Sequence, residues 1–408
     1  MAEKKLIVIG GGAAGFFCAI NAARLNPALK VVILEKSNRL LSKVKVSGGG
    51  RCNVTHACFD IGEMSKKYPR GGNFVKKAFH QFFTTDTIKW FEERGVKLKT
   101  EKDGRMFPFS DSSQTIINCL LDEAGKYNIA LQLNAEVKKL EAINGKFQVE
   151  LRDHRFLTAD FVCIATGGYS KSSMFDWLKE TGHTIEEPVP SLFTFNLPGH
   201  PVKELMGISV ENVKVKIHQS KLSESGAILI THWGLSGPAI LKLSAWGARE
   251  LLKLNYDFTV SISWLPELNE QILKERFLQI RNDNASQKVK GKNNTGLPAR
   301  LWDFLATQSG VTEMMRWADM PSVTQNKFIK NLCSYEVQVK GKTTFKEEFV
   351  TAGGIKLSEI DHITMMSKKV ANLYFAGEIM DVDGVTGGFN FQYAWTSGFI
   401  AAKSIAGS

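Results

Sequence analysis

The sequence predicts an α/β fold in which both ends of the chain contribute to one doubly wound parallel sheet and a differently built domain is inserted between them. The first observation is the stretch KKLIVIGGGAAGFFCAINAARL at residues 4–25. Residues 6–9 are a short apolar run of strand type, residues 10–15 fit G-x-G-x-x-G, and residues 14–25 carry helix formers with an apolar face. In that pattern Gly10 permits the tight turn, Gly12 lets the backbone approach a pyrophosphate, and Gly15 lets helix and strand pack closely, with the helix N-terminus facing the phosphates. The second observation is an apolar strand at residues 31–34 that ends in Glu35, at the distance of about 20 residues where a carboxylate binds a ribose 2′-hydroxyl. Glu35 argues against a 2′-phosphate and for FAD or NAD(H), so the domain reads as Rossmann-type. The third is the return of strand, glycine turn and helix near the C-terminus: residues 373–376, Gly377-Glu378, DVDGVTGGFN at 381–390, and a final helix at 391–405. Gly387-Gly388 offers a second helix N-terminus, suited to the electron-rich edge of a reduced flavin.

Between these ends each element has its own signal. Residues 47–55, SGGGRCNVT, are too rich in glycine for a helix or central strand and form a backbone that can lie against a flat ligand. Residues 73–83 and 84–94 read as helices with Gly95 as the stop, and their aromatics as core. Residues 104–108 read as turn and edge strand, and Asp111-Ser112-Ser113-Gln114 resembles a capping box opening a helix to about Tyr127. Residues 131–151 alternate like a small antiparallel meander turning at Asn144-Gly145. Residues 161–165 form a buried strand running into Thr166-Gly167-Gly168, at the sheet edge where ligands collect. Past Pro188 and Pro190 the pattern changes: residues 191–266 read as mainly β and 267–332 as helical, with Lys288, Lys290 and Lys292 in a polar loop. The domains are therefore residues 1–190, an insertion at 191–344, and a return segment at 345–408.

At 408 residues, with 43% hydrophobic and 23% charged residues, the composition is that of a globular protein. No apolar run reaches the ~18 residues of a membrane helix, so no membrane partner is expected. The six cysteines include no C-x-x-C pair, which points away from a disulfide framework or zinc site and towards a reducing cytoplasm; no metal is expected. The net charge is +11, and residues 36–105 hold sixteen Lys/Arg against seven Asp/Glu. Such a segment either meets a polyanion or is a solvated face with a few lysines at cofactor phosphates.

The chain resembles the BaiN-like FAD flavoproteins, which hold bile-acid-type enone reductases, aminoacetone-oxidase-like proteins and a ribosomal RNA dihydrouridine synthase. The resemblance runs through IGGGAAG (9–15), SGGGRCNVT (47–55), GRMFPFSD (104–111), ATGG (165–168), THWGLSGPAIL (231–241), TAGGI (351–355) and YFAGEIMDVDGVTGGFNFQYAW (374–395). It implies FAD held by Gly10, Gly12, Ala14, Gly15, Glu35, Lys36, Arg51, Cys52, Val137, Gly168, Gly377, Glu378, Gly388, Phe389 and Asn390. Their neighbours Ala13, Lys43, Gly49, Gly50, Ala165, Thr166, Gly167, Asp381 and Gly387 complete the expected cofactor set. It also implies an inserted β-barrel-like plus helical domain. Two departures stand out. His56 replaces the family's common Asn, and YSKSSMFDWLKETGH after ATGG is shorter than usual and is expected to line the mouth of the flavin pocket.

The expected activity is that of an FAD-dependent oxidoreductase that takes hydride from NADH or NADPH and reduces an electron-poor C=C bond, while the protein supplies positioning and a proton. Uracil in ribosomal RNA is the preferred acceptor, with the basic segment 36–105 as the RNA contact; the alternative is a small molecule, either an enone that is reduced or an amine that is oxidised in the reverse sense. A third reading is an RNA-binding assembly factor with structural FAD. Cys52 is a candidate proton donor, because Arg51 and backbone N–H groups would lower its pKa, and His56 is the next. Cys52 also reads as a small apolar residue packed against a flat ring.

Overall fold

The computed structural model describes residues 3–291, 293–343 and 350–408. Lys292 of the polar loop and the expected domain boundary at 344/345 lie outside the described residues. The chain divides into two compact units, Met1–Ser191 with Lys346–Ser408, and Leu192–Phe345.

The first unit is built on a five-stranded parallel sheet. Lys5–Ile9 is central between Phe161–Ile164 and Lys30–Leu34, and Leu373–Phe375 and Ala130–Gln132 form the edges. Leu6, Ile7, Val8, Val162, Cys163 and Ile164 are fully buried, as strands of a parallel sheet covered on both faces must be. The edge strand Ala130–Gln132 corrects the meander expected over residues 131–151. It pairs in parallel with Lys30–Leu34, and only Val137–Ile143, Lys146–Leu151 and Phe156–Ala159 form the antiparallel sheet. Asn144 and Gly145 do make the turn, both with positive φ (51° and 76°), as a two-residue hairpin connection requires.

Two helices dominate the packing around that sheet: the first, Ala13–Leu25, and the last, Phe389–Ala406. They cross at Gly398, where a Cβ would stand 2.7 Å from the Ala14 carbonyl oxygen and 3.2 Å from the Cys18 nitrogen. Beside the crossing Phe17 packs on Trp90 and Trp395, with ring centroids 4.6 and 5.2 Å apart. Trp90 comes from the helix Thr84–Glu92, which with Gly72–Phe79 makes the expected helical pair, and Gly95 follows at φ 77°. Ser112 caps the helix Ser113–Lys126 by accepting from the Gln114 N–H. Arg105–Pro108 is a second correction: it is the middle strand of a three-stranded antiparallel sheet, between Thr55–His56 and Leu98–Thr100. Pro108, which has no N–H to donate, stands at its end.

The second unit packs a seven-stranded sheet and the helices Glu270–Asp283, Ala299–Gln308 and Ser322–Cys333 around one core that includes Trp264, Phe277, Trp302 and Phe328. Two further helices, Pro238–Trp246 and Ala248–Lys253, interrupt the stretch read as mainly β. Gly237 followed by Pro238 at the first helical position is the signal that marks this start. Among the described residues no helix is long and apolar enough to cross a membrane.

The crossing of the first and last helices yields a prediction. Gly398→Val should force them apart and cost about 1–3 kcal/mol by overpacking. Thermal unfolding would read this as a lowered Tm, and an unchanged Tm would show that the helices can part freely.

Candidate cofactor site and catalytic residues

The turn after the first strand shows why each glycine stands where it does. At Gly10 φ is 116° and a Cβ would run into the Ala165 carbonyl; at Gly15 a Cβ would run into the Gly10 carbonyl. Those two are required by the protein's own packing. Gly12 has an ordinary φ of −95° and nothing within 4 Å of where its Cβ would stand, so the protein itself leaves that side open. Gly12 caps the first helix, and Ala13 and Ala14 begin it, with first-turn N–H groups that have no partner inside the helix.

Glu35 is held ready beside this turn. One carboxylate oxygen accepts from the Gly11 N–H and the other from the Ser37 N–H and hydroxyl, all at 2.9 Å. A cavity of about 450 Å³ opens here, lined by Gly10, Glu35, Lys36, Val137 and Thr166 of the expected set, within the size range of small-ligand sites. Tyr169, Ser173, Met174 and Trp177 line the same cavity, and Lys36 Nζ lies 5.7 Å from the Tyr169 ring centroid. This corrects the placement of YSKSSMFDWLKETGH at the mouth of a flavin pocket. The segment sits with Glu35 and Val137, at the nucleotide end. Tyr169, directly after ATGG, and Trp177 were the available signal.

Most of the remaining expected residues lie in the loops after Phe161–Ile164 and Leu373–Phe375 and in the segment Ser42–Gly50. Ala165 continues the sheet by donating its N–H to Ile9 O (2.8 Å) and leads into Thr166, Gly167 and Gly168. Gly168 packs against Glu378, whose carboxylate pairs with Lys43 (2.6 Å) and accepts from the Thr351 N–H (2.7 Å). The Gly377 N–H donates to Ser397 Oγ in the last helix (2.9 Å), and that of Asp381 to Ile355 O (3.1 Å). Ser42–Gly50 begins as a helix, but Ser47, Gly48 and Gly49 leave helical φ/ψ. Gly48, Gly49 and Gly50 all have left-handed φ (59°, 69° and 84°), and no atom lies within 4 Å of where a Cβ would stand on the last two.

Asn53 ties this loop to the last helix. With its amide oriented to suit its neighbours, it accepts from the Gly388 N–H (2.9 Å) and donates to Thr55 O (3.0 Å). Gly388 itself lies against the Thr55 carbonyl. His56 donates from Nδ1 to Gly387 O (2.9 Å) and stacks on Phe389 at 4.6 Å. A carbonyl can only accept, so this contact places a proton on Nδ1. Asn390 both donates to and accepts from the Gly384 backbone, so its side chain closes the loop rather than reaching outward. Open glycine faces at 12, 49 and 50, a nucleotide-sized cavity, and two helix N-termini in one unit together fit FAD.

The expected acidity of Cys52 is reversed. Its thiol is fully buried, and burial pushes its pKa up to about 12, with a Ser47 hydrogen bond only partly opposing this. Arg51 does not offset it, because its guanidinium pairs with Glu101 (2.6 Å) and Asp111 (3.6 Å) and lies 3.9 Å over the Phe107 ring. Cys52 is thus a neutral packing residue near pH 7.

One cluster has no local signal at all. Asp383 is completely buried, bonded in both oxygens by Arg70, and accepts from Ser191 Oγ (2.8 Å). Arg70 therefore leaves the set of cations expected to face a polyanion; its side chain is 13% exposed. A second buried hub is Gln392, which accepts from the hydroxyls of Thr55 (2.6 Å) and Thr87 (3.0 Å) and donates to Thr396 (3.1 Å). Among the described residues no group of three or more His, Cys, Asp or Glu could hold a metal.

The chain matches the HI0933-like protein Rossmann domain over residues 4–404. It belongs to this family. It is 31% identical to an Escherichia coli protein named ribosomal RNA dihydrouridine synthase, over 98% of this chain and 97% of that one. It is 26% identical to a Clostridium scindens 3-dehydro-bile acid delta(4,6)-reductase, over 98% of each. Among solved structures, a 3-ketosteroid-delta4-(5alpha)-dehydrogenase from Rhodococcus jostii shares the fold with a TM-score of 0.52 at 11% identity, covering 99% of this chain and 97% of that one. The chain is an FAD-dependent oxidoreductase with a Rossmann-type FAD-binding domain.

Two predictions test the site. Gly12→Val should leave the apoprotein folded, since a Cβ there meets no protein atom within 4 Å and the poorer helix cap costs at most about 1 kcal/mol, yet abolish FAD retention on purification. Full flavin absorbance per chain would refute the assigned path of the pyrophosphate. Asp383→Asn should cost about 3–5 kcal/mol by stranding the Arg70 charge, measured by denaturant unfolding; a loss below about 1 kcal/mol would show the pair to be dispensable.

Proposed function

We propose that the protein reduces uracil in ribosomal RNA to dihydrouridine, with NADH or NADPH as the reductant. The observation that carries this reading is the full-length similarity to the E. coli protein named for that reaction; a Haemophilus influenzae protein of the same name is 29% identical over 98% of this chain. FAD supplies the hydride chemistry when bound. The C5=C6 bond of uracil takes up one hydride and one proton, so the protein has to present an electron-poor ring and deliver the proton.

His56 is the residue for the proton. Its Nδ1–H is held by the Gly387 carbonyl at the start of the last helix, which fixes the ring against Phe389. With Nδ1–H held there, the proton delivered to the acceptor has to be the Nε2–H of the protonated ring, which leaves a neutral imidazole that solvent reprotonates. A flipped base also has to be carried on a polyanion. Lys67, Lys76 and Lys77 are exposed and have no carboxylate within ion-pair distance among the described residues, which suits them to phosphate contacts. A ribosomal RNA substrate goes with a cytoplasmic location. The similarity to a bile-acid reductase supports a second reading, a small enone as acceptor; both acceptors present the same conjugated C=C–C=O unit.

Dihydrouridine mapping in ribosomal RNA from a deletion strain decides between them. Loss of a specific dihydrouridine, restored by the parent gene, is expected; an unaltered map would leave the enone reading. In stopped flow, Cys52→Ala should reoxidise with the RNA acceptor at the parent's rate, and His56→Gln about 100-fold more slowly. A slow Cys52→Ala with normal His56→Gln would reverse these roles.

A further inference from the structure

We propose that one face of the small sheet formed by Thr55–His56, Arg105–Pro108 and Leu98–Thr100 carries the single-stranded RNA that flanks the reacting nucleotide, with Phe109 as a base-stacking platform. The inference rests on the reading that the substrate is a base in RNA, and it assigns that RNA a path.

Directly paired residues of antiparallel strands share a face, and alternate residues along a strand do too. His56 pairs with Arg105, and Lys99 with Phe107; the Phe109 N–H donates to Lys97 O, extending the register by one pair. His56, Arg105, Phe107, Phe109, Lys99 and Lys97 therefore lie on one face. Phe107 is buried beneath the Arg51 guanidinium, 3.9 Å from its ring centroid, with that of Arg105 at 5.5 Å. Phe109 is 70% exposed, and Lys99 Nζ stands 5.8 Å from its ring centroid.

The chemistry of that face is specific. A large aromatic ring left in water gives a stacking surface that accepts any base, and the cations beside it that are offered to phosphates are Lys97 and Lys102. The carboxylates present, Glu101, Asp103 and Asp111, pair with Arg51, Lys99 and Arg105 and hold them in place. Lys97 and Lys102 have no carboxylate within ion-pair distance among the described residues. A protein or membrane partner would call for a broader apolar area than one phenylalanine.

The face also points to the reacting end. From Arg105 to Phe109 the strand rises about 13 Å, room for more than one nucleotide at a stacked rise of about 3.4 Å. Its other end is His56, bonded to Gly387 O and stacked on Phe389. RNA stacked on Phe109 would pass over the Arg51 guanidinium that covers Phe107 and arrive at the start of the last helix, where the base has to be delivered.

The test uses the full-length, FAD-loaded protein and a single-stranded oligouridylate, followed by fluorescence anisotropy. Phe109→Ala should weaken binding about 5- to 150-fold, with flavin content and Tm unchanged, while Phe156→Ala, an exposed phenylalanine on a different sheet, should bind as the parent does. The double variant Lys97→Gln/Lys102→Gln should lower the salt slope by about 0.7 for each phosphate it no longer neutralises. Equal binding by Phe109→Ala and a parent that does bind RNA would overturn this path and leave the proposed reaction standing. A parent that neither binds the oligouridylate nor forms dihydrouridine would overturn the reaction and the path together.

Discussion

The crossing of two helices at Gly398 is the contact on which the rest of the cofactor domain depends. No side chain separates the last helix from the Ala14 carbonyl, and a Cβ on Gly377 would likewise stand 2.9 Å from that of Ala14. These small residues let two helices far apart in the chain share the same packing layer. Their N-termini, at Gly12 and Gly388, are then both held by the same rigid body. FAD carries its pyrophosphate in the middle and its polarisable flavin ring at one end, so a positive dipole end for each has to stand at a set spacing. The helix crossing fixes that spacing.

The loop that leads into the last helix is held by bonds from many directions. Arg70 and Ser191 hold Asp383, Asn390 closes on Gly384, His56 takes the Gly387 carbonyl, and Asn53 takes the Gly388 N–H. Burial pushes the Asp383 carboxyl up from its ordinary range while Arg70 and Ser191 counter this, so the ion pair is a stake in the fold rather than a group poised for proton transfer. Such cross-bracing lets a glycine-rich segment, with little stiffness of its own, keep a defined shape. Cys52 contributes by packing, while His56 bonds the Gly387 carbonyl and Tyr68 the Phe389 carbonyl at the helix start.

What the sequence makes legible is whatever is encoded locally. The nucleotide turn, the carboxylate at residue 35, the left-handed glycines and the hairpin at Asn144-Gly145 each follow from a few adjacent residues. Cys52 misleads because the residues beside it in sequence are not the groups around its thiol: the charge of Arg51 turns to Glu101, fifty positions on. Arg70 and Asp383 are 313 positions apart, and no spacing rule connects them. Ala130–Gln132 has an alternation that serves parallel and antiparallel pairing alike, so only the Glu35 N–H bonding to Gln132 O settles its place. The short helices after Gly237 break a β-rich run that periodicity alone would continue.

The threading of the first unit sets an order of events in biosynthesis. The first helix ends at Leu25, with Phe16, Phe17 and Ile20 fully buried in the finished protein, but the helix that covers it begins only at Phe389. Most of the chain emerges before these partners meet, and the second unit can complete its own core in the interval. The nascent chain thus carries an apolar helix covered only in part, by Phe82, Trp90 and the early strands, until the last helix is made, a state prone to aggregation and to slow, late closure. Closure of the cofactor domain has to wait for the segment from Phe389 onward to leave the ribosome, and FAD can find both of its helix N-termini together only after that.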